Sequence, residues 1–588
     1  MRCANTINTF IRGLLLLGST AAQLRSVGLA VPDHQLASLQ RPLGLVPKAI
    51  FTRKKLQAPK LCPSYGESQW TGSITVSDQR DLFYWYFDSR NDPEHDPIIV
   101  AFPGGPGGSG VLLALGANGP CLLEEGESRP NAWSFNNNAS ILFLDQPSGT
   151  GFSRLANGAP LLDNDQDAAK DFQRFLQLFF SEAFPEKRHL PLHIYTASYG
   201  GHYGPVYLHH ILESRRHGSD VAFWGDIRSL TLHDPQIDWM ATFVGTYPFL
   251  CDNKETAGLL NETACEFIAD NMPEQKRLGH GCHAAYNGGS ECRAAYNHGV
   301  EVIQAPYTDL RLDLGDFHRK CPEGYSYPIC KQTGIEVMEK FMNQDWVKKD
   351  LRMPLDSRFI ALNMDIWNAF HESGSWHTPT TKELIDVLDA YKEEQIGNIK
   401  VMILNGNWDV IINTQGNLWL SDRLTWSGQS DFRSKQLQPL PEGLGITGAW
   451  KATKDGNFAF VAVDGVGHFP SGAQSEVLTS AGTMRAFLSQ GLFAPSAAFT
   501  IAVLIITNAL PITIPLTTGT DAGLRDGNAA AVARLATCCT LVLAGLVFLN
   551  APIAALPQAF WAFPIAKFFG FEAFAFTFPS TAGADTYL

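Results

Sequence analysis

The chain has 588 residues, 45% of them hydrophobic and 18% charged, which is an ordinary globular balance with length for one large domain or two to three smaller ones. Its 45 basic residues against 58 acidic ones leave a net charge of -13. That excludes a nucleic-acid binder, which needs a Lys/Arg field to neutralise phosphates.

In chain order, Arg2 and Arg12 precede the apolar run "GLLLLGSTAA", with small residues at Ala21 and Ala22, and predict a secretory signal over residues 1–22. Residues 23–60 show no period and read as a leader or pro-segment. From residue 61 strand-like runs begin: "LFYWYF" (82–87), "PIIVAF" (97–102) and "SILFLDQP" (140–147). The second is apolar throughout, as a parallel strand covered on both faces should be. Residues 163–184 carry apolar positions at helical spacing behind a group of acids that favours a helix N-terminus. "LHIYTAS" (192–198) is a strand, "HYGPVYLHHILESRR" a helix, and "SLTLHDPQID" (229–238), "KVMILNGNWD" (400–409) and "FAFVAVDGVGH" (458–468) are further strands. A helical pattern over "SEVLTSAGTMRAFLSQG" follows the last. Strands alternating with helices predict an α/β domain over 61–491 with a mostly parallel central sheet and helices on both faces. The alternation breaks over about 239–395, which reads as an inserted cap.

Eight cysteines outside the signal and tail (Cys62, Cys121, Cys251, Cys265, Cys282, Cys292, Cys321 and Cys330) form an even set, and six of them crowd into 251–330. In an exported chain this predicts disulfides, with local bridges stapling the cap. Sequons at Asn138 and Asn261 suit the same compartment. No Cys or His spacing asks for a metal, and no motif asks for a cofactor. Past Gly491 the composition changes. Residues 496–516 and 535–556 are each long enough to span a bilayer, and 557–588 form an apolar tail. Arg525 and Arg534 between the two spans predict a cytosolic loop and a lumenal, vacuolar or extracellular large domain.

The chemistry centres on "TASYG" (196–200), a strand-to-helix turn with Ser198 at its apex and Gly200 two residues on. Such a turn exposes a serine hydroxyl above a sheet. A serine needs a base, and the base needs an orienting acid. Asp409 and His468 follow later apolar strands in the order acid then histidine, each at a strand's C-terminal end, where α/β sites collect. Asp464 is the runner-up acid. The Gly-rich "FPGGPGGSG" (102–110) lacks the Lys-Ser/Thr of a phosphate loop and suits an oxyanion hole, with the N–H groups of Gly105 and Tyr199 as donors.

The motifs "LFYWYFDSRNDPEHDPIIVAFPGGPG", "ILFLDQPSGTGFS", "ASYGGHYGP", "NGNWDVIINTQGN" and "GVGHFP" resemble those of the serine carboxypeptidase family of α/β-hydrolases over about 62–490. The resemblance implies a Ser198–His468–Asp409 triad, an oxyanion hole at Gly105 and Tyr199, and an acid compartment. The membrane-anchored members of the family suit the apolar tail. It also implies a carboxylate-binding site whose Trp, Asn and two Glu are here Ala101, Pro103, Ala197 and Ala117. Peptide C-terminal hydrolysis is therefore one expectation. An esterase, amidase or acyltransferase on the same triad, acting on an acyl substrate, is another, and a membrane-tethered binding protein is a third.

Overall fold

In the computed structural model the described residues are 51–468, except 58, 117–118, 125, 287, 322–331, 394–396 and 442–445. The strands are β1 (Lys54–Lys55), β2 (Gln69–Ser77), β3 (Arg80–Phe87), β4 (Ile98–Phe102), β5 (Cys121–Glu124), β6 (Glu127–Pro130), β7 (Ser140–Leu144) and β8 (Arg154–Leu155). After them come β9 (Leu192–Ala197), β10 (Ile227–His233), β11 (Leu312–Asp313), β12 (Asp316–Lys320), β13 (Lys400–Gly406), β14 (Gln438–Pro439), β15 (Gly448–Ala452) and β16 (Phe458–Val463). Twelve of these form one sheet in the order β1-β2-β3-β7-β4-β9-β10-β13-β16-β15-β14, with β8 beside β3. β5–β6 and β11–β12 are separate two-stranded hairpins.

Parallel pairing is confined to the centre, from β7 through β4, β9, β10 and β13 to β16. Both ends are antiparallel, which corrects the expectation of a mostly parallel sheet. The reason lies in the connections: only Asp78 and Gln79 separate β2 from β3, and so short a link allows a hairpin but not a crossover.

Every residue of β4, β7 and β16 is buried, as continuous apolar runs at the sheet centre require. Helix α1 (Asp165–Leu178) begins at Asn164, whose side chain accepts from the Asp167 N–H, and carries Asp165 and Asp167 in its first turn. Helix α2 (Gly200–Arg216) starts directly at the Ser198 turn. Phe172 and Phe175 of α1 and Tyr203 and Tyr207 of α2 share one core with Val100, Phe102 and Ile194 of the sheet. A second core on the opposite face joins Ala101, Tyr195 and Phe143 to Met338, Phe341 and Phe359.

Between β10 and β13 the chain leaves the sheet as a largely helical insertion, including α3 (Trp239–Leu250), α4 (Glu262–Ala285) and α5 (Ser290–His298). Disulfides Cys251–Cys265 and Cys282–Cys292 staple it locally, and Cys62–Cys121 ties the segment before β2 to β5. Cys321 is also disulfide-bonded, while Cys330 lies outside the described residues. Asn261 is the exposed N-cap of α4, its side chain accepting from the Ala264 N–H, and Asn138 is half-buried at the end of a short 3₁₀ turn. The expected signal, the helix over 475–491 and both apolar stretches lie outside the described residues. Among the described residues no helix is long and apolar enough to cross a membrane.

Candidate active site

β9 ends at Ala197, and Ser198 takes a φ of +60°, a conformation that a side-chain-bearing residue adopts only when its surroundings enforce it. The enforcement is visible. The Ser198 N–H donates to the His233 carbonyl at 2.9 Å, and the Ser198 carbonyl accepts from Gly201 N–H and Gln236 N–H, each at 2.9 Å. Thr196 occupies the position where such turns usually carry glycine. Its hydroxyl donates to the Gly200 carbonyl at 2.9 Å, and it packs where a Cβ on Gly200 would lie 2.5 Å from Thr196 Cβ. The bulk added at 196 is therefore balanced by its absence at 200.

β13 and β16 are parallel neighbours, and each hands one functional group to the same end of the sheet. Asp409 follows β13, and His468 follows β16 with its backbone N–H on the Gly315 carbonyl at 2.7 Å. His468 Nε2 lies 2.9 Å from Ser198 Oγ, and His468 Nδ1 lies 2.7 Å from Asp409 Oδ2. The second Asp409 oxygen accepts from the Ile412 N–H at 3.1 Å. A carboxylate at Nδ1 requires the proton there, so Nε2 of the neutral ring is free to accept from the serine hydroxyl.

Asp409 is fully buried and His468 only 4% exposed. Burial pushes the Asp409 carboxyl up, opposed by the charge of His468 and reinforced by Asp234. Burial works against the charged form of His468, yet the charges of Asp409, Asp234 and Asp313 outweigh it and raise the imidazole above its ordinary value. The runner-up acid, Asp464, accepts instead from Asn407 Nδ2 at 2.6 Å.

The Gly-rich loop lies directly against the turn: a Cβ on Gly104 would stand 2.2 Å from the Tyr199 nitrogen. Gly105 has a φ of +116°, where glycine alone is unstrained. Among the described residues neither the Gly105 nor the Tyr199 N–H donates to a protein group. Ala101 is buried on β4 and pairs in register with Tyr195, Ala197 is half-buried and pairs with His233, and Pro103 is buried just past β4. Ala117 lies outside the described residues.

Three acids with a part in this region were not singled out from the sequence. Asp234 follows β10 and stands beside Asp409 and His468. The strand-end rule that finds Asp409 finds it equally, within "SLTLHDPQID". Asp145 accepts from Ser109 Oγ at 2.5 Å and from Phe152 N–H at 2.8 Å, bracing the Gly-rich loop. Asp165 accepts from Ser375 Oγ at 2.7 Å and from the Tyr199 hydroxyl at 3.2 Å. Those two pairings join positions far apart in the chain and carry no local signal.

The serine carboxypeptidase family model matches residues 59–489. Carboxypeptidase Y homolog A of Fusarium vanettenii is 30% identical over 424 residues, covering 70% of this chain and 73% of that protein. Carboxypeptidase Y of Candida albicans is 31% identical over 405 residues, covering 68% and 70%. A prohormone-processing carboxypeptidase from Saccharomyces cerevisiae shares the fold, with a TM-score of 0.59 at 22% identity over 74% of this chain and 95% of that one. The chain belongs to the serine carboxypeptidase family.

Proposed function

We propose that this serine carboxypeptidase-like hydrolase cleaves peptides through an acyl-enzyme formed on Ser198. The observation that carries the reading is the unbroken line from Ser198 Oγ to His468 Nε2 at 2.9 Å and from His468 Nδ1 to Asp409 Oδ2 at 2.7 Å. Ser198 Oγ attacks the scissile carbonyl as His468 Nε2 takes its proton. Asp409 holds the Nδ1–H tautomer and stabilises the imidazolium, which then protonates the leaving amine. Water enters by the reverse sequence and frees the serine. The N–H groups of Gly105 and Tyr199, unpaired among the described residues, suit the oxyanion, where one such donor contributes about 10²–10³ in rate.

A second reading keeps the triad and relaxes the substrate class to esters, amides or acyl transfer. It is favoured by Ala101, Pro103 and Ala197, whose side chains offer no polar group to a terminal carboxylate. The disulfides support an oxidising, secretory-pathway setting for either reading.

Labelling of the full chain by a fluorophosphonate tests the assignment. Wild type is expected to label and to hydrolyse peptides, and Ser198→Ala to lose both. Equal labelling of folded Ser198→Ala defeats the assignment.

A further inference from the structure

The end of β10 carries a second histidine–aspartate pair that this mechanism leaves unused. His233 is the last residue of β10, and Asp234 follows it with a φ of +42°. Both are buried, at 3% and 1% exposure. The Tyr195 hydroxyl lies 2.6 Å from His233 Nδ1, and His233 Nε2 lies 3.2 Å from Asp234 Oδ2. Asp234 Oδ1 accepts from Asn405 Nδ2 at 3.0 Å and from Gly406 N–H at 2.8 Å. Asn405 also donates to the Ile412 carbonyl at 3.0 Å, and the Ile412 N–H donates to Asp409. The turn that presents Asp409 is thus tied to Asp234. One nitrogen of His468 and one oxygen from each of Asp234 and Asp409 all lie within 4.8 Å of one another.

Two carboxylates buried this closely repel unless a cation meets both, and burial magnifies the repulsion. Among the described residues, the acids whose charges act on His468 are Asp409 after β13, Asp234 at the end of β10 and Asp313 on the β11–β12 hairpin, and His233 faces Asp234. Arg319 lies 3.4 Å from Asp313 and 3.4 Å from Asp316, so its charge is directed at those two acids. Among the described residues, the imidazole at 468 is placed to meet Asp234 and Asp409 together.

We propose that Asp234 is a positioning residue of the triad, a second acid that shares with Asp409 the stabilisation of the imidazolium formed when Ser198 attacks. The proposal rests on the Ser198–His468–Asp409 reading. Two consequences separate it from a purely structural role. Asp234 favours protonated His468, so it pulls the acid limb of activity towards neutral pH. It also leaves His468 one acid when Asp409 is removed.

The experiment measures fluorophosphonate labelling rates of the full chain from pH 4 to 8. In Asp234→Asn the acid limb is expected to move to lower pH. Below the wild-type midpoint its rate, normalised to its own plateau, then exceeds the wild-type value about three-fold or more. Asp409→Asn, which leaves Asp234 in place, is expected to retain a rate about 10²–10³ below wild type, short of the ~10⁴ loss that follows when a triad's only acid is removed. A normalised Asp234→Asn profile that superimposes on wild type overturns the proposal, and so does a full ~10⁴ loss in Asp409→Asn. The second variant keeps the question open to refutation should Asp234→Asn not fold. A wild-type chain without Ser198-dependent labelling defeats the catalytic reading itself, an outcome distinct from either of these.

Discussion

At the scale of single residues, one steric constraint on the site falls on a side chain that is absent. Gly104 lies so close to the Ser198 turn that any Cβ would meet the Tyr199 nitrogen at 2.2 Å and its Cα at 2.6 Å. Both are backbone atoms, so no rotamer change relieves the clash. Either the Gly-rich loop or the turn must move, and both carry N–H groups proposed for the oxyanion hole. Displacement by as little as 1 Å at such a site costs about 10² in rate. Gly104→Ala is therefore expected to lower kcat at least about 100-fold, with a smaller change in KM. Steady-state kinetics on folded variant check this, and a kcat within three-fold of wild type refutes it.

At the scale of elements, the Gly-rich loop after β4 is held to the end of β7 by one carboxyl. Asp145 accepts from Ser109 Oγ and Phe152 N–H, and the Ser109 hydroxyl oxygen in turn accepts from the Val111 N–H. Burial nevertheless dominates and pushes this carboxyl up to about 6. The native state then holds a proton that the unfolded chain, with an ordinary value of about 3.9, releases earlier. Native protein binds more protons than unfolded protein between about pH 4 and 6, so stability from this group falls as pH rises through that window. The full span is about 3 kcal/mol. Asp145→Asn removes the titration. The variant is expected to gain on wild type as pH rises from 4 to 7, read as the difference between their urea-unfolding free energies. Parallel pH dependence of the two proteins defeats the assignment to Asp145.

At the scale of the whole molecule, the candidate triad is legible because its members obey one rule: each follows a run of apolar residues that becomes a central strand. Ser198 follows β9, Asp409 follows β13 and His468 follows β16, and three parallel neighbours plus β10 bring them to one edge. Pairing direction was less legible. "LFYWYF" reads as a strand and is buried throughout in β3, yet all partners of β3 are antiparallel, because connection length decides direction and burial does not. Asp234 is less legible, because a strand-end acid followed by proline also reads as an ordinary turn.

The same sheet geometry governs what the site recognises. Ala101 and Ala197 stand in register with Tyr195 and His233, and Pro103 lies just beyond β4. None of the three has a side chain that donates a hydrogen bond or carries a charge. His233, the ionisable neighbour of Ala197, is 3% exposed, with Nδ1 2.6 Å from the Tyr195 hydroxyl and Nε2 3.2 Å from Asp234 Oδ2. A hydrogen bond to a charged group contributes about 1.5–3 kcal/mol, or about 10- to 150-fold in affinity for each bond made. With these positions silent, a free C-terminus is expected to gain little over its neutral amide. The expected ratio of kcat/KM between a peptide acid and the matching peptide amide is within about ten-fold, below what two such bonds would give. A preference for the acid above about 100-fold would mean that another part of the molecule supplies the anchor, and would overturn this account of the three positions.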